Sequence, residues 1–158
     1  GPLARLLAPL VANRVNLYVM HTNLDRAPGG INDTLADLLG LGSTMPLALG
    51  LVGDCSIGVR EIAARLGGPV RVWGRIGTLS RLAVVGGSGF DPGLLHEAKS
   101  RGADAFLSAE MKHHVAISSP LPCIEATHYA LESPGMRRLA EARGWEFIAD
   151  PPGVTVIP

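Results

Sequence analysis

The second half of the chain alternates between short β-rich runs and helix-like segments, and few folds accommodate such a pattern. The β-rich runs are "LSRLAVV", "ADAFLS" and "PCIEAT", and the segments that follow them are "PGLLHEAKSR", "MKHHVAIS" and "PGMRRLAEARG". Asp91 before Pro92 predicts the start of the first helix, and Ser133 before Pro134 predicts the start of the last. This alternation favours an α/β fold with a largely parallel sheet.

The first half of the chain is less regular. A helix is predicted from Leu3 to Val11, and the strand "VNLYVM" then stops at His21. Asn32 or Asp33 is expected to cap a helix that runs through Leu39, and Ser56 is expected to cap the next helix. Further strands are predicted within residues 42–55 and in "PVRVWG", "WEFIA" and "VTVI". We expect the chain to form two lobes, at approximately residues 1–75 and 76–158.

Composition narrows the classes of function. Hydrophobic residues make up 47% of the 158 residues, and fourteen basic side chains balance fourteen acidic ones. No global charge therefore favours nucleic acid or an anionic membrane, and no apolar run approaches the roughly 20 residues of a membrane span. Cys55 and Cys123 form no CxxC pattern, which argues against a thiolate zinc site or a disulfide framework and predicts two buried thiols. A cytoplasmic protein is expected.

Two histidine–carboxylate pairs stand where predicted strands end. His21 and Asp25 lie in "HTNLD", and His128 and Glu132 lie in "THYALE". The carboxyl ends of strands gather the functional groups of α/β proteins, and imidazole with carboxylate suits zinc, manganese, iron, cobalt or nickel. The same spacing also fits a histidine bonded to backbone and a carboxylate that caps a helix, so it leaves both interpretations open.

Three longer stretches of sequence distinguish between protein families better than this spacing does. The stretches "YVMHTNLDRAPGGINDTLADLLGL", "RLAVVGGSGFDPGLLHEAKSRGADAFLSAEMKHH" and "THYALESPGMRRLAEARG" closely resemble the NIF-three-like family, whose members often carry the name type 2 GTP cyclohydrolase I. The resemblance covers nearly the whole chain and is weakest between residues 42 and 75. It implies a two-lobed α/β fold with largely parallel or mixed sheets, a hexameric ring, and a dinuclear metal site in a cleft.

The resemblance also implies roles for individual residues. Asp25 corresponds to a ligand of one divalent ion, His128 to a ligand of the other, and Glu132 to a carboxylate that bridges them. His21 is equally consistent with a weak ligand or with a group that orients Asp25. Family members have a further His-His-Pro motif just before the helix that "GPLARLL" resembles. The present sequence lacks that motif, so an N-terminally truncated fold with weakened metal binding is expected.

Other polar residues near these motifs have two interpretations each. His114 in "AEMKHH" falls on a histidine near the family's cleft and is either a general acid or base or an exposed helix residue. "GGSG" after a strand is either an anion-binding loop or a tight turn that needs glycine. His96, Arg137 and Arg138 are expected on solvated helix surfaces.

The resemblance is compatible with three classes of function. A metal-dependent hydrolase would attack C8 of the guanine in GTP, releasing formate and forming a pterin triphosphate. A non-enzymatic alternative is a metal-binding, metal-trafficking or regulatory protein that acts through an oligomeric ring, and a third is a folded remnant that binds neither metal nor substrate. The expected partners are other copies of the chain and a nucleotide or other small molecule, with no nucleic acid and no membrane.

Overall fold

The computed structural model describes residues 1–153. In chain order the elements are α1 Pro2–Ala12, α2 Thr22–Asp25, α3 Ile31–Leu39, β1 Gly42–Pro46, β2 Leu51–Asp54, α4 Val59–Leu66, β3 Arg71–Trp73, β4 Arg81–Val84, α5 Pro92–Ser100, β5 Ala105–Ser108, α6 His113–Ser118, β6 Cys123–Glu125 and α7 His128–Arg143. Within these residues, every helix is too short or too polar to cross a membrane.

The six strands form one mixed sheet in the order β1-β2-β4-β5-β6-β3. Its centre is parallel, because β4 pairs with β5 and β5 with β6 in the same direction. The outer strands β1, β2 and β3 are antiparallel to their neighbours. The predicted α/β class is therefore confirmed, with helices α5 and α6 connecting the parallel strands. The sheet takes strands from both sides of residue 75, and the predicted lobe boundary stays a prediction.

Both faces of the central strands are buried. Leu82 and Val84 of β4 belong to one hydrophobic cluster, with α3, α4 and α7. Ala83 of β4 and Phe106 of β5 face the other cluster, with α5 and α6. Each large apolar side chain taken fully out of water contributes about 1.5–3 kcal/mol. Helix layers on both faces explain why these strands read as continuous apolar runs rather than as an alternation of apolar and polar residues.

The start of α7 differs from its prediction, and the difference matters for the site. The N-cap is Thr127, whose side-chain oxygen accepts from the backbone N–H of Ala130 at 3.1 Å, and Pro134 lies inside the helix. The Ser133–Pro134 signal was therefore wrong as a helix start. Thr127 is a cap of the same chemical kind, and it lies directly after β6.

Four other predictions were wrong at the level of single elements. Helix α3 begins at Ile31 with Gly30 as its N-cap, so neither Asn32 nor Asp33 caps it. Residues 15–20 and 145–149 form no strand in the structure, because a strand persists only where a neighbouring strand supplies hydrogen bonds. The helix expected after Ser56 begins at Val59 with Gly58 as its N-cap. Ile57 explains this delay, because it is buried in the core and the chain must pass it before turning into the helix. The predicted strand "VTVI" lies outside the described residues.

The cysteine prediction was only half right. Cys123 is buried, but Cys55 is partly exposed, and both are free thiols. Burial raises the pKa of each thiol. Neither side chain is therefore a ready thiolate at neutral pH.

Candidate metal centre

Three polar segments meet at the carboxyl ends of the parallel strands. The "GGSG" loop at residues 86–89 follows β4, Glu110 follows β5, and His128 follows β6. Because the carboxyl ends of parallel strands lie at one edge of a sheet, these segments are brought together although they are far apart in sequence.

His128 and Glu132 face each other on the first turns of α7. The Nε2 atom of His128 lies 2.9 Å from Oε1 of Glu132. A helix places residues i and i+4 on one face, so the capping of α7 at Thr127 aligns the two side chains. The histidine and glutamate of "THYALE" thus meet because residues 128–132 are all helical.

Glu110 contacts the opposite edge of the same imidazole ring. Its Oε1 atom lies 2.7 Å from Nδ1 of His128. Partial burial lowers the pKa of His128, but the carboxylates of Glu110 and Glu132 outweigh it and hold that pKa above its usual value. The hydrogen bond from His128 lowers the pKa of the Glu110 carboxyl group. His128 is therefore held between two carboxylates, one on each ring nitrogen.

Gly87 provides the space for this arrangement. A Cβ atom at position 87 would lie 2.6 Å from Oε1 of Glu132 and 2.9 Å from Nε2 of His128. Gly87 also has a φ of 65°, in the left-handed region that favours glycine. The turn interpretation of "GGSG" is thus supported by both the backbone and the surroundings of Gly87.

The "GGSG" loop is fixed by hydrogen bonds from within the protein. The buried hydroxyl of Ser108 donates to the carbonyl of Gly87 and accepts from the N–H of Gly89, both at 2.8 Å. The N–H of Gly86 donates to Oδ1 of Asn32 at 2.8 Å. Two of the N–H groups that an anion would need are therefore already used, and the loop serves chiefly to place Gly87 against His128.

Asp25 is anchored near this group by the buried side chain of Asn32. The Asn32 amide donates to the backbone carbonyl of Asp25 at 2.8 Å while its oxygen accepts from Gly86. Desolvation raises the pKa of Asp25, and the charges of His21 and His128 oppose that shift. The carboxylate of Asp25 thus lies within electrostatic reach of His128.

The site residues do not share one cavity. His128 and Glu132 line a cavity of about 830 Å³ against residues 145–148 and 150–152. His128 and Glu110 line a second cavity, of about 520 Å³, together with Arg71. Asp25 lines a smaller cavity of about 210 Å³ with Asn32. His128 is therefore the residue that two of the larger cavities have in common.

The other histidines that the sequence singles out are exposed. His21 is exposed, with its Nδ1 atom 3.3 Å from the Thr22 hydroxyl. His114 is exposed on α6, outside both cavities that His128 lines. Nδ1 of His96 lies 2.7 Å from the carbonyl of Pro92 on the surface of α5.

Arg137 and Arg138 have packing contacts of their own. Arg138 pairs with Asp37 of α3 at 2.6 Å. Arg137 lies over the ring of Phe147, with its guanidinium carbon 4.5 Å from the ring centroid. Both side chains remain largely exposed, as predicted, and both attach α7 to neighbouring segments.

The donor types at His128 fit a divalent ion. An imidazole whose Nδ1 meets a carboxylate presents Nε2 as the coordinating atom, and Glu132 supplies an oxygen beside it. Gly87 keeps the space next to both atoms free of a side chain. Within residues 1–153, no three His, Cys, Asp or Glu side chains converge closely enough to hold a metal as they stand. The assembled part of the predicted ligand set is thus His128 with Glu132, and Asp25 stands nearby.

Sequence reasoning missed four residues that build this site: Asn32, Gly87, Glu110 and Glu125. Glu110 and Gly87 could have been found, because each directly follows a predicted parallel strand. Asn32 and Glu125 carried no local signal, since Gly86 lies 54 residues from Asn32, and Arg71 and Trp73 lie 54 and 52 residues from Glu125.

Residues 1–145 match the Duf34/NIF3 (NGG1p interacting factor 3) family over nearly the whole chain. The chain belongs to the Duf34/NIF3 family. A "GTP cyclohydrolase 1 type 2 homolog" from Streptomyces coelicolor is 32% identical over 90% of this chain and 61% of the relative. One from a Nostoc species is 35% identical over 80% of this chain and 55% of the relative. The chain thus spans about three fifths of the length of these curated relatives.

Solved structures support the Duf34/NIF3 fold. Protein ybgI, of unknown function, superposes with a TM-score of 0.82 at 30% identity, over 96% of this chain and 68% of ybgI. Reduced HcgD from Methanocaldococcus jannaschii superposes with a TM-score of 0.79 at 29% identity, over 91% of this chain and 62% of HcgD. The fold implied by the sequence motifs is therefore shown.

Proposed function

We propose that this Duf34/NIF3 chain binds two divalent metal ions and acts as a metal-dependent hydrolase of the type 2 GTP cyclohydrolase I class. The observation that carries this proposal is the imidazole of His128, held between two carboxylates at the carboxyl edge of a parallel sheet. Parallel sheets place their ligands at this edge, and catalytic metal sites commonly combine imidazole with carboxylate.

In this proposal, His128 would hold one ion, Asp25 would hold the other, and Glu132 would be shared by both. A bridging carboxylate is suited to the place because two dications at short range repel, and an anion between them screens the repulsion. When bound, the ions would supply hydroxide from water at neutral pH. The side chains of Asp25 and Glu132 are half-buried, so water would compete less with an ion for their carboxylates.

A nucleotide is the first substrate to test. The names of the curated relatives point to GTP, and the cavity of about 520 Å³ beside His128 has the volume of a small-molecule site. Release of formate from GTP by the metal-loaded chain, and its loss on His128→Ala, would support that substrate. Metal binding without formate release would favour the non-enzymatic metal-binding alternative.

Metal content is the direct test of the proposed site. After loading with Zn²⁺, the wild-type chain is expected to hold up to two ions, His128→Ala to lose about one, and Glu132→Ala to lose affinity at both positions. Elemental analysis, expressed as metal per chain, measures this. His96→Ala is the matched control, because His96 is an exposed histidine on α5 that lines neither cavity beside His128. Equal zinc content in wild type and Glu132→Ala would remove the bridging role.

Self-association is a second part of the proposal. Leu6 and Val11 of α1 are 63% and 77% exposed, and Tyr18 and Val19 in the following segment are 77% and 74% exposed. Apolar surface of this extent is normally covered by a partner. We expect an oligomer, a hexamer by the family resemblance, that dissociates in a Leu6→Glu, Val11→Glu variant.

Light scattering at micromolar concentration measures the oligomer. Ile117→Glu is the control, because Ile117 on α6 is 73% exposed but lies on another element. A wild-type monomer, or equal dissociation by the control, would count against self-association through α1.

A further inference from the structure

We propose that Glu110 is a positioning residue, which fixes the ring of His128 so that Nε2 points at Glu132 and at a bound metal ion. The inference rests on the proposed function, and it deepens that function by assigning the group that orients the metal ligand. In this role Glu110 contacts the histidine and not the metal.

The two edges of the imidazole divide these roles. Glu110 lies 2.7 Å from Nδ1, and Glu132 lies 2.9 Å from Nε2. The space beside Gly87 also opens on the Nε2 edge. Glu110 therefore lies at the edge of the ring opposite Glu132 and the space beside Gly87. A carboxylate in this place accepts the Nδ1–H and leaves the lone pair on Nε2, which fixes both the tautomer and the ring plane.

The backbone on either side of Glu110 is fixed by hydrogen bonds. The N–H of Ala109 donates to the carbonyl of Gly87 at 2.9 Å, and the N–H of Met111 donates to the buried carboxylate of Glu125 at 3.1 Å. The hydroxyl of Ser88 also helps to lower the pKa of the Glu110 carboxyl group. The loops after β4 and β5 thus hold Glu110 from two directions.

Glu110 itself adopts an unfavourable backbone conformation. Its φ is 64°, in the left-handed region that residues with a Cβ rarely occupy. Such conformations persist where the surroundings impose them, and they concentrate at functional sites. An exposed carboxylate with no role would gain little from this placement, because a surface ion pair contributes little to stability.

Glu110→Ala, Glu110→Gln and Glu61→Gln of the full 158-residue chain test the proposal. Glu61 is a matched control, because its side chain is 50% exposed and accepts from Arg65, while that of Glu110 is 58% exposed and accepts from His128. The affinity for Zn²⁺ is measured by competition with a chromophoric chelator, and zinc per chain by elemental analysis. Nitrogen NMR of the metal-free protein, at a pH where the imidazole is neutral, reports the tautomer of His128. Thermal unfolding verifies that each variant is folded.

Glu110→Ala is expected to weaken Zn²⁺ binding by about 10- to 100-fold without changing the number of ions at saturation. The ring spectrum of His128 should shift towards the Nε2–H tautomer. Glu110→Gln should be intermediate, because its amide oxygen still accepts, and Glu61→Gln should match wild type.

Two results would overturn the positioning role while leaving the proposed function intact. One is an unchanged affinity and ring spectrum in Glu110→Ala, when His128→Ala has lost zinc. The other is a lower number of zinc ions at saturation, which would make Glu110 a ligand. If the wild-type chain binds no Zn²⁺, the proposed function fails and the role of Glu110 in metal binding fails with it.

Discussion

Gly87→Ala is expected to weaken Zn²⁺ binding by about 100-fold, the upper end of the range for changes that disturb ligand orientation. The new Cβ would lie 2.6 Å from Oε1 of Glu132 and 2.9 Å from Nε2 of His128, so both donor atoms must move. Both are side-chain atoms and can turn away, which limits the loss in folding free energy to about 1–2 kcal/mol from the left-handed backbone. Chelator competition and thermal unfolding measure the two effects separately.

Gly67→Ala isolates the backbone contribution. Gly67 has a φ of 69°, close to the 65° of Gly87, and a Cβ at position 67 would meet no atom within 4 Å. The control should lose a similar amount of stability and keep its metal affinity. Equal metal affinity in the two variants would show that the space beside Gly87 does not serve the site.

Glu125→Gln is expected to lower the free energy of unfolding at pH 7 by about 1.5–3 kcal/mol, the range for a hydrogen bond to a charged group. Glu125 is only 7% exposed. It accepts from Arg71 at 2.7 Å, from the indole N–H of Trp73 at 2.8 Å and from the N–H of Met111 at 3.1 Å. Glutamine keeps the shape but turns an NH₂ group towards one of these donors.

The effect of Glu125→Gln should depend on pH in a defined direction. Burial raises the pKa of Glu125, but the hydrogen bonds from Arg71, Trp73 and Met111 outweigh it and hold the pKa below its ordinary value. The stabilisation is therefore complete above the pKa of an unfolded glutamate, roughly 4.3, and is lost as the pH falls through the lower folded pKa.

Urea unfolding of wild type and variant between neutral and acid pH measures this trend. Glu61→Gln, at an exposed ion pair, should change stability by less than about 1 kcal/mol at any pH. A difference between wild type and Glu125→Gln that persists unchanged into acid would exclude the charge as its source.

The contacts of Glu125 also extend to the candidate metal centre. Its carboxylate holds the N–H of Met111, next to Glu110, and Glu110 holds His128. A moderate loss of zinc affinity in Glu125→Gln would accompany the loss of stability if this series of contacts orients the ring.

The α/β class and the order of the central elements follow from local sequence patterns. Apolar runs such as "LSRLAVV" and "ADAFLS", each followed by a helix, can bury both faces only as adjacent strands between helix layers. Asp91 caps α5 as predicted, with its carboxylate accepting from Gly93 and Leu94. The predicted strand "PCIEAT" also put His128 at the carboxyl edge of the sheet, because His128 directly follows that strand. These features depend on neighbours in the chain.

Which residues meet at that edge depends on contacts between distant parts of the chain. Glu110 and His128 are 18 residues apart, and Gly86 and Asn32 are 54 apart, so no local pattern could show that they are hydrogen-bonded. The helical start at Thr127 is similar, since Ser133–Pro134 is an equally good local cap and the end of β6 determines which one is used. Residues 15–20 have the composition of a strand but form none, because backbone pairing requires a partner that composition cannot supply.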